Sequence, residues 1–154
     1  MAVRRNNKAK KDKDSILADV KNLLYILHPA LQKMPKIERM EGAPHEMKAA
    51  CYNMIRYFNT AKECPEARLE SIRAMFGEYG VLMAAFDLCA QWGLLTDSDS
   101  FRIAIQLEKI KEGVGKWRNS VRSAKSQART EVGGEEPQET PVSTNSKREG
   151  GYHS

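Results

Sequence analysis

Residues 103–121, IAIQLEKIKEGVGKWRNSV, place apolar side chains at Ile103, Leu107, Ile110, Val114, Trp117 and Val121, at steps of 4, 3, 4, 3 and 4. That spacing puts all six on one stripe of a single long helix, the seam expected of a helix packed lengthwise against its neighbours. The same stretch carries Gly113 and Gly115, and each glycine inside a helix costs about 1 kcal/mol against alanine. Close helix contact explains them better than a phosphate-binding loop does. No strand precedes Gly113-Val114-Gly115, and the rest of such a loop is missing.

Working outward, Ile16, Val20, Leu23, Leu27, Ala30 and Met34 repeat the same steps. They predict a first helix capped at Asp14 or Ser15, with a kink rather than a necessary stop at His28-Pro29. Pro35 and the segment Glu41-Gly42-Ala43-Pro44 predict a turn, and Pro44 suits the first position of a second helix. That helix carries Met47, Cys51, Met54, Phe58 and Ala61 on one face and ends at Cys64-Pro65. A third helix follows. Ile72, Phe76, Tyr79, Met83, Phe86 and Ala90 form one stripe, and Met75, Leu82 and Cys89 widen it. A face that broad can meet both the bundle interior and another subunit. Gly93 falls where the third helix should end, and Thr96-Asp97-Ser98-Asp99 offers caps for the fourth. Four helices with short connections predict an all-α, antiparallel up-down-up-down four-helix bundle over residues 14–129.

The flanks read differently. Residues 1–13 contain Arg4, Arg5, Lys8, Lys10, Lys11 and Lys13 without apolar periodicity and predict a mobile basic arm. Residues 130–154, with Gly133-Gly134, Pro137, Pro141 and a Ser/Thr/Asn-rich end, predict a disordered tail. The chain has a formal charge of +5, and because residues 131–154 hold five acids and two bases, residues 1–130 carry +8. A basic body raises the expectation of a polyanionic partner. No run approaches the ~18 apolar residues of a membrane helix, and no apolar segment follows the basic N-terminus. The chain therefore reads as cytoplasmic and without membrane contact. Cys51 and Cys89 fall on apolar helix positions, so buried thiols are expected rather than a disulfide framework or a metal site.

Little in the sequence supports catalysis. His28, His45 and His153 have neither metal-site spacing nor a nucleophile beside them, and His28 beside Pro29 reads as a packing or local hydrogen-bonding residue. No cofactor is implied. Basic residues are the stronger candidates. Lys111, Arg118, Arg122, Lys125 and Arg129, at steps of 7, 4, 3 and 4, form a stripe on the fourth helix separate from its apolar seam. Such a stripe can track phosphates, and a solvated face is the equally simple reading. Lys48 and Arg56 on the second helix, with Arg68 and Arg73 on the third, could extend it, and the arm could add to it.

Four features in order are Leu24-Tyr25-Ile26-Leu27-His28-Pro29, Met34-Pro35, Trp92-Gly93-Leu94-Leu95 at the end of the third helix, and Gly115-Lys116-Trp117 on the fourth. Together they resemble the Avd-like four-helix-bundle family. These are accessory variability determinants of diversity-generating retroelements, related to bundle proteins encoded in ribosomal-RNA intervening sequences. The resemblance spans roughly residues 15–125. It implies a barrel-like homopentamer without an active site, which binds a reverse transcriptase and its template RNA and supports mutagenic cDNA synthesis. The intervening-sequence branch implies instead an oligomeric scaffold for a protein partner, with no nucleic-acid role. This chain departs from the family at two positions of the third helix: Ala85 and Cys89 stand where relatives often carry arginine.

Overall fold

The computed structural model describes the backbone of residues 2–133 and the side chains of residues 15–130. Each apolar stripe becomes a helix: α1 (Ala2–Gln32), α3 (Ala43–Glu63), α4 (Arg68–Gln91) and α5 (Asp97–Gly133). A short helix α2 (Lys36–Glu41) and a 3-10 turn (Pro65–Ala67) complete the order, and the described residues include no strand. The chain divides into two units, Met1–Arg122 and Ser123–Ser154. In the second, α5 runs on to Gly133 and every side chain from Ser123 to Thr130 is exposed. The tail expected to be disordered lies outside the described residues beyond Gly133.

Helix α1 begins at Ala2 rather than at the expected cap of Asp14 or Ser15. Residues 2–13 are helical where the sequence predicts a mobile arm: Ala, Lys and Arg are good helix formers and extend a helix already nucleated by a packed segment. At the other end α1 passes through Pro29 to Gln32.

The core of the first unit follows the predicted stripes on three helices. Ile16, Val20, Leu23, Leu27 and Ala30 of α1 are buried, as are Met47, Cys51, Met54, Phe58 and Ala61 of α3. Ile103, Leu107, Ile110, Val114 and Trp117 of α5 join them, with Val121 half-buried at the rim. Phe58 and Trp117 pack ring to ring across α3 and α5, centroids 5.5 Å apart and tilted by 54°.

Helix α4 differs from its prediction. Ile72, Met75, Leu82, Ala85 and Cys89 form its buried seam, whereas Phe76, Tyr79, Met83 and Phe86 are half-buried flanks and Ala90 is exposed. The helix is apolar on nearly every side, so periodicity alone does not say which stripe turns inward. The 75–82–89 line, set as a widening of the main stripe, is the one that reaches the core.

The ends are fixed by local chemistry. Gly93 takes φ +69°, the left-handed conformation that favours glycine, while Leu94 N–H bonds to the Cys89 carbonyl at 3.0 Å and Gly93 N–H to the Ala90 carbonyl at 3.2 Å. These two bonds are a Schellman stop for α4. Thr96 caps α5: its hydroxyl accepts from the Asp99 N–H at 3.1 Å. At the end of α3, Arg68 Nε donates to the Ala61 carbonyl at 2.7 Å and Nη2 to that of Lys62 at 3.3 Å.

Three contacts tie α1 to α5. Gln106 Nε2 donates to the Asp19 carbonyl at 2.8 Å, and Lys33 Nζ stands 3.1 Å from Asp99 Oδ2. The third is a close approach. A Cβ on Gly113 would stand 3.2 Å from Ile16 Cγ1, whereas a Cβ on Gly115 would meet nothing within 4 Å. The expectation of close packing therefore holds for Gly113 and fails for Gly115.

Two outcomes follow from this packing. Gly115→Ala should raise stability by about 0.5–1 kcal/mol, while Gly113→Ala should gain less because Ile16 must yield; equal gains in urea unfolding would remove the Gly113–Ile16 contact from the account. The cysteines separate in the same way. Burial pushes the Cys51 thiol up to about 12 and, together with the charge of Glu38, the Cys89 thiol up to about 11, while Cys64 is exposed. At pH 8 a thiol reagent should titrate Cys64 alone in the folded protein and all three cysteines in denaturant.

Candidate nucleic-acid interface

An exposed cation can serve a polyanion only if its charge is not already engaged within the fold. On α5, Lys111 and Arg122 meet that condition: both are exposed, and neither makes an ion pair among the described residues. Arg118 lies on the same side but is engaged otherwise. Its guanidinium stacks over the Phe76 ring of α4, 4.4 Å from the centroid, with Nε buried and unbonded. It is a cation–π strut between helices. Lys125 and Arg129 are exposed and fall in the second unit. The side chains of Arg4, Arg5, Lys8, Lys10 and Lys11 lie outside the described residues.

The residues read as extensions of the stripe go elsewhere. Arg68 is consumed by capping α3, and Arg73 pairs with Glu70 one turn earlier at 3.5 Å. Lys48 and Arg56 are exposed on the opposite flank of α3, where they line a trough with Arg39 and Tyr52 instead of meeting α5. Sequence reading missed this flank. Its signal was present in Lys48, Tyr52 and Arg56 at steps of four, but a search for apolar stripes passes over it.

His28, expected as a packing or local hydrogen-bonding residue, is exposed and borders the same trough, and His45 is exposed beside it in the first turn of α3. The spacing of α1 explains the outcome, because Leu27 takes the core position and turns His28 outward. Among the described residues no group of three or more His, Cys, Asp or Glu side chains could hold a metal ion.

Ala85 and Cys89 are both in the core, 5 % and 0 % exposed. Arginine at either place would be a buried charge without a partner, so in this chain the two positions supply no surface contact. No helix among the described residues is long and apolar enough to cross a membrane.

Comparison with protein families, curated proteins and solved structures finds no match to this chain.

Proposed function

We propose that this chain is a non-catalytic RNA-binding accessory protein that assembles with copies of itself and serves a reverse transcriptase in the cytoplasm. The observation that carries the RNA part is a group of exposed, unpaired cations in the first unit, among them Lys111 and Arg122 on α5 with Lys48 and Arg56 on α3. Unpaired cations on a folded body attract phosphates in proportion to the counterions released. The reverse transcriptase and the template RNA as specific partners come from the resemblance to the Avd-like family, as does the barrel-like homopentamer.

Within the protomer, an antiparallel up-down-up-down course is supported by the α1–α5 contacts. Ile16 meets Gly113, Asp19 meets Gln106 and Lys33 meets Asp99, so numbers rise on one helix as they fall on the other. Self-assembly is supported by α4. Val81, Leu88 and Trp92 are 44 %, 39 % and 58 % exposed along one line of it. Gly77 and Gly80, exposed nearby, have room for a Cβ with nothing within 4 Å. Apolar side chains in a row on a helix face are the usual material of a subunit contact.

The same face favours a second reading, an oligomeric scaffold that binds a protein partner and has no nucleic-acid role. Arg118, spent on Phe76, fits that reading as well. Salt dependence separates the two. An accessory protein holds its RNA at moderate salt, whereas a scaffold shows only weak, sequence-indifferent binding that vanishes by physiological salt.

Lys111→Glu with Arg122→Glu should weaken RNA binding at least tenfold at low salt and leave the helical circular dichroism unchanged; an unaltered affinity would take α5 out of the interface. Light scattering at micromolar concentration should give an oligomer of the 17.4 kDa chain, and Val81→Glu with Leu88→Glu should return a folded monomer. A wild-type monomer would count against both readings.

A further inference from the structure

Three adjoining concavities of about 310, 240 and 250 Å³ meet at Lys48, between the last turns of α1, helix α2 and the first half of α3. Each is near or just below the lower end of the roughly 300–1,000 Å³ typical of small-ligand clefts. Together they form one trough, with Lys48 on the wall of each part. Four cations border it from two of the helices, Lys36 and Arg39 on α2 and Lys48 and Arg56 on α3, with His28 of α1 beside them. No carboxylate lines any of the three. Among the described residues Lys36, Arg39, Lys48 and Arg56 make no ion pair.

Glu38, on α2 between Lys36 and Arg39, lines none of the three concavities and makes no ion pair with these cations. Two of the arginines are held in place without losing their charge. Asn53 Oδ1 accepts from Arg56 Nη1 at 2.9 Å, and Gln32 Oε1 accepts from Arg39 Nη1 at 3.0 Å, while Arg39 Nε is buried with no partner. Neutral amides thus orient guanidinium groups whose positive charge stays available.

The trough also carries a half-exposed phenol ring. Tyr52 is 47 % exposed, between Lys48 one turn before it and Arg56 one turn after it, and it lines two of the concavities. An aromatic ring flanked at one-turn spacing by cations, on a concave surface free of carboxylates, is the arrangement that stacks a base while its neighbouring phosphates are neutralised. A bare anion would have no use for the ring. A duplex, with its bases already stacked, could not reach it.

We propose that this trough binds single-stranded RNA, with one base stacked on Tyr52 and the adjoining phosphates held by Lys48, Arg56 and Arg39. The site deepens the RNA-binding reading and rests on it, but it is a surface separate from Lys111 and Arg122.

The experiment is fluorescence anisotropy of labelled U15 RNA with the full chain, from 50 to 300 mM salt, with unlabelled UMP and polyglutamate as competitors. Lys48→Gln with Arg56→Gln should cut affinity at least tenfold and flatten the salt slope by about 1.4, the effect of two lost phosphate contacts on a single strand. Tyr52→Leu should cost about 5- to 100-fold at an unchanged salt slope, and Tyr52→Phe, which keeps the ring, should bind like wild type. UMP should displace the strand only at far higher concentration than unlabelled U15.

Full RNA affinity in the three trough variants, with loss confined to Lys111→Glu and Arg122→Glu, would overturn the trough site and leave the RNA-binding reading standing. Absence of U15 binding by the wild type at 50 mM salt would remove both. Competition by UMP equal to that of U15 would overturn the strand in favour of a free nucleotide. Displacement by polyglutamate, with Tyr52→Leu unaffected, would make the trough a site for an acidic protein and overturn the proposal.

Discussion

The close approach of α5 to α1 is the constraint on which the rest of the first unit depends. Gly113 leaves on α5 the space that the Ile16 side chain of α1 takes, and the neighbouring seam residues, Val20 on one helix and Ile110 on the other, are buried almost completely. Two polar contacts fix the sliding register of the pair. The Gln106 amide reaches the Asp19 carbonyl, and the Lys33–Asp99 pair joins the end of α1 to the start of α5. Apolar seams are nearly indifferent to a shift of one heptad; a buried amide or a half-buried ion pair is not, because a shifted register leaves it unsatisfied. Asp99 serves twice, since its backbone N–H also completes the Thr96 cap.

Once α1, α3 and α5 have each given one stripe to the interior, α4 has more apolar surface than the protomer can cover. It buries the thin line of Ile72, Met75, Leu82 and Cys89 and leaves its aromatic flank half-covered. Part of that flank is used internally, where Phe76 offers its face to the Arg118 guanidinium. The opposite line of Val81, Leu88 and Trp92 has no such use within the described chain. Two glycines in mid-helix, Gly77 and Gly80, lower the intrinsic stability of α4 without easing any contact in the protomer. The protomer alone gives no reason for either feature, and a second chain laid against α4 would give one for both.

Where a helix has one apolar stripe, its fold was legible: every stripe position named on α1 and α3 is buried, and on α5 only Val121 reaches the rim. Gly93 and Thr96 were legible for a related reason, because the stop and the cap rest on local backbone chemistry. Helix α4 was misjudged because two stripes compete and only the packing of three other helices chooses between them. Helix α2 was missed because six residues without a buried side chain leave no periodicity to read. The cationic sites were the least legible. Spacing places a charge on a face but does not say whether a carboxylate, an aromatic ring or a helix end already holds it, and Arg73, Arg118 and Arg68 are held in those three ways.

That distinction alters which surface of the first unit is best suited to RNA. The α5 stripe looked strongest in sequence because its members are evenly spaced, yet its central member, Arg118, is committed to Phe76. Around Lys48 the charges come from two separate helices, α2 and α3, which no single periodicity can reveal, and amides rather than carboxylates hold Arg39 and Arg56 in place. Long-range attraction depends only on the number and position of unpaired charges, so in the proposed reading both surfaces contribute to capture. Retention depends on contacts that a strand cannot exchange for water at no cost, and stacking on an exposed ring is one of them. Tyr52 is placed to supply that contact in the trough, whereas Lys111 and Arg122 have no exposed aromatic ring within one turn of them on α5. In the proposed RNA-binding reading, encounter falls to both faces and grip to the one that sequence periodicity passed over.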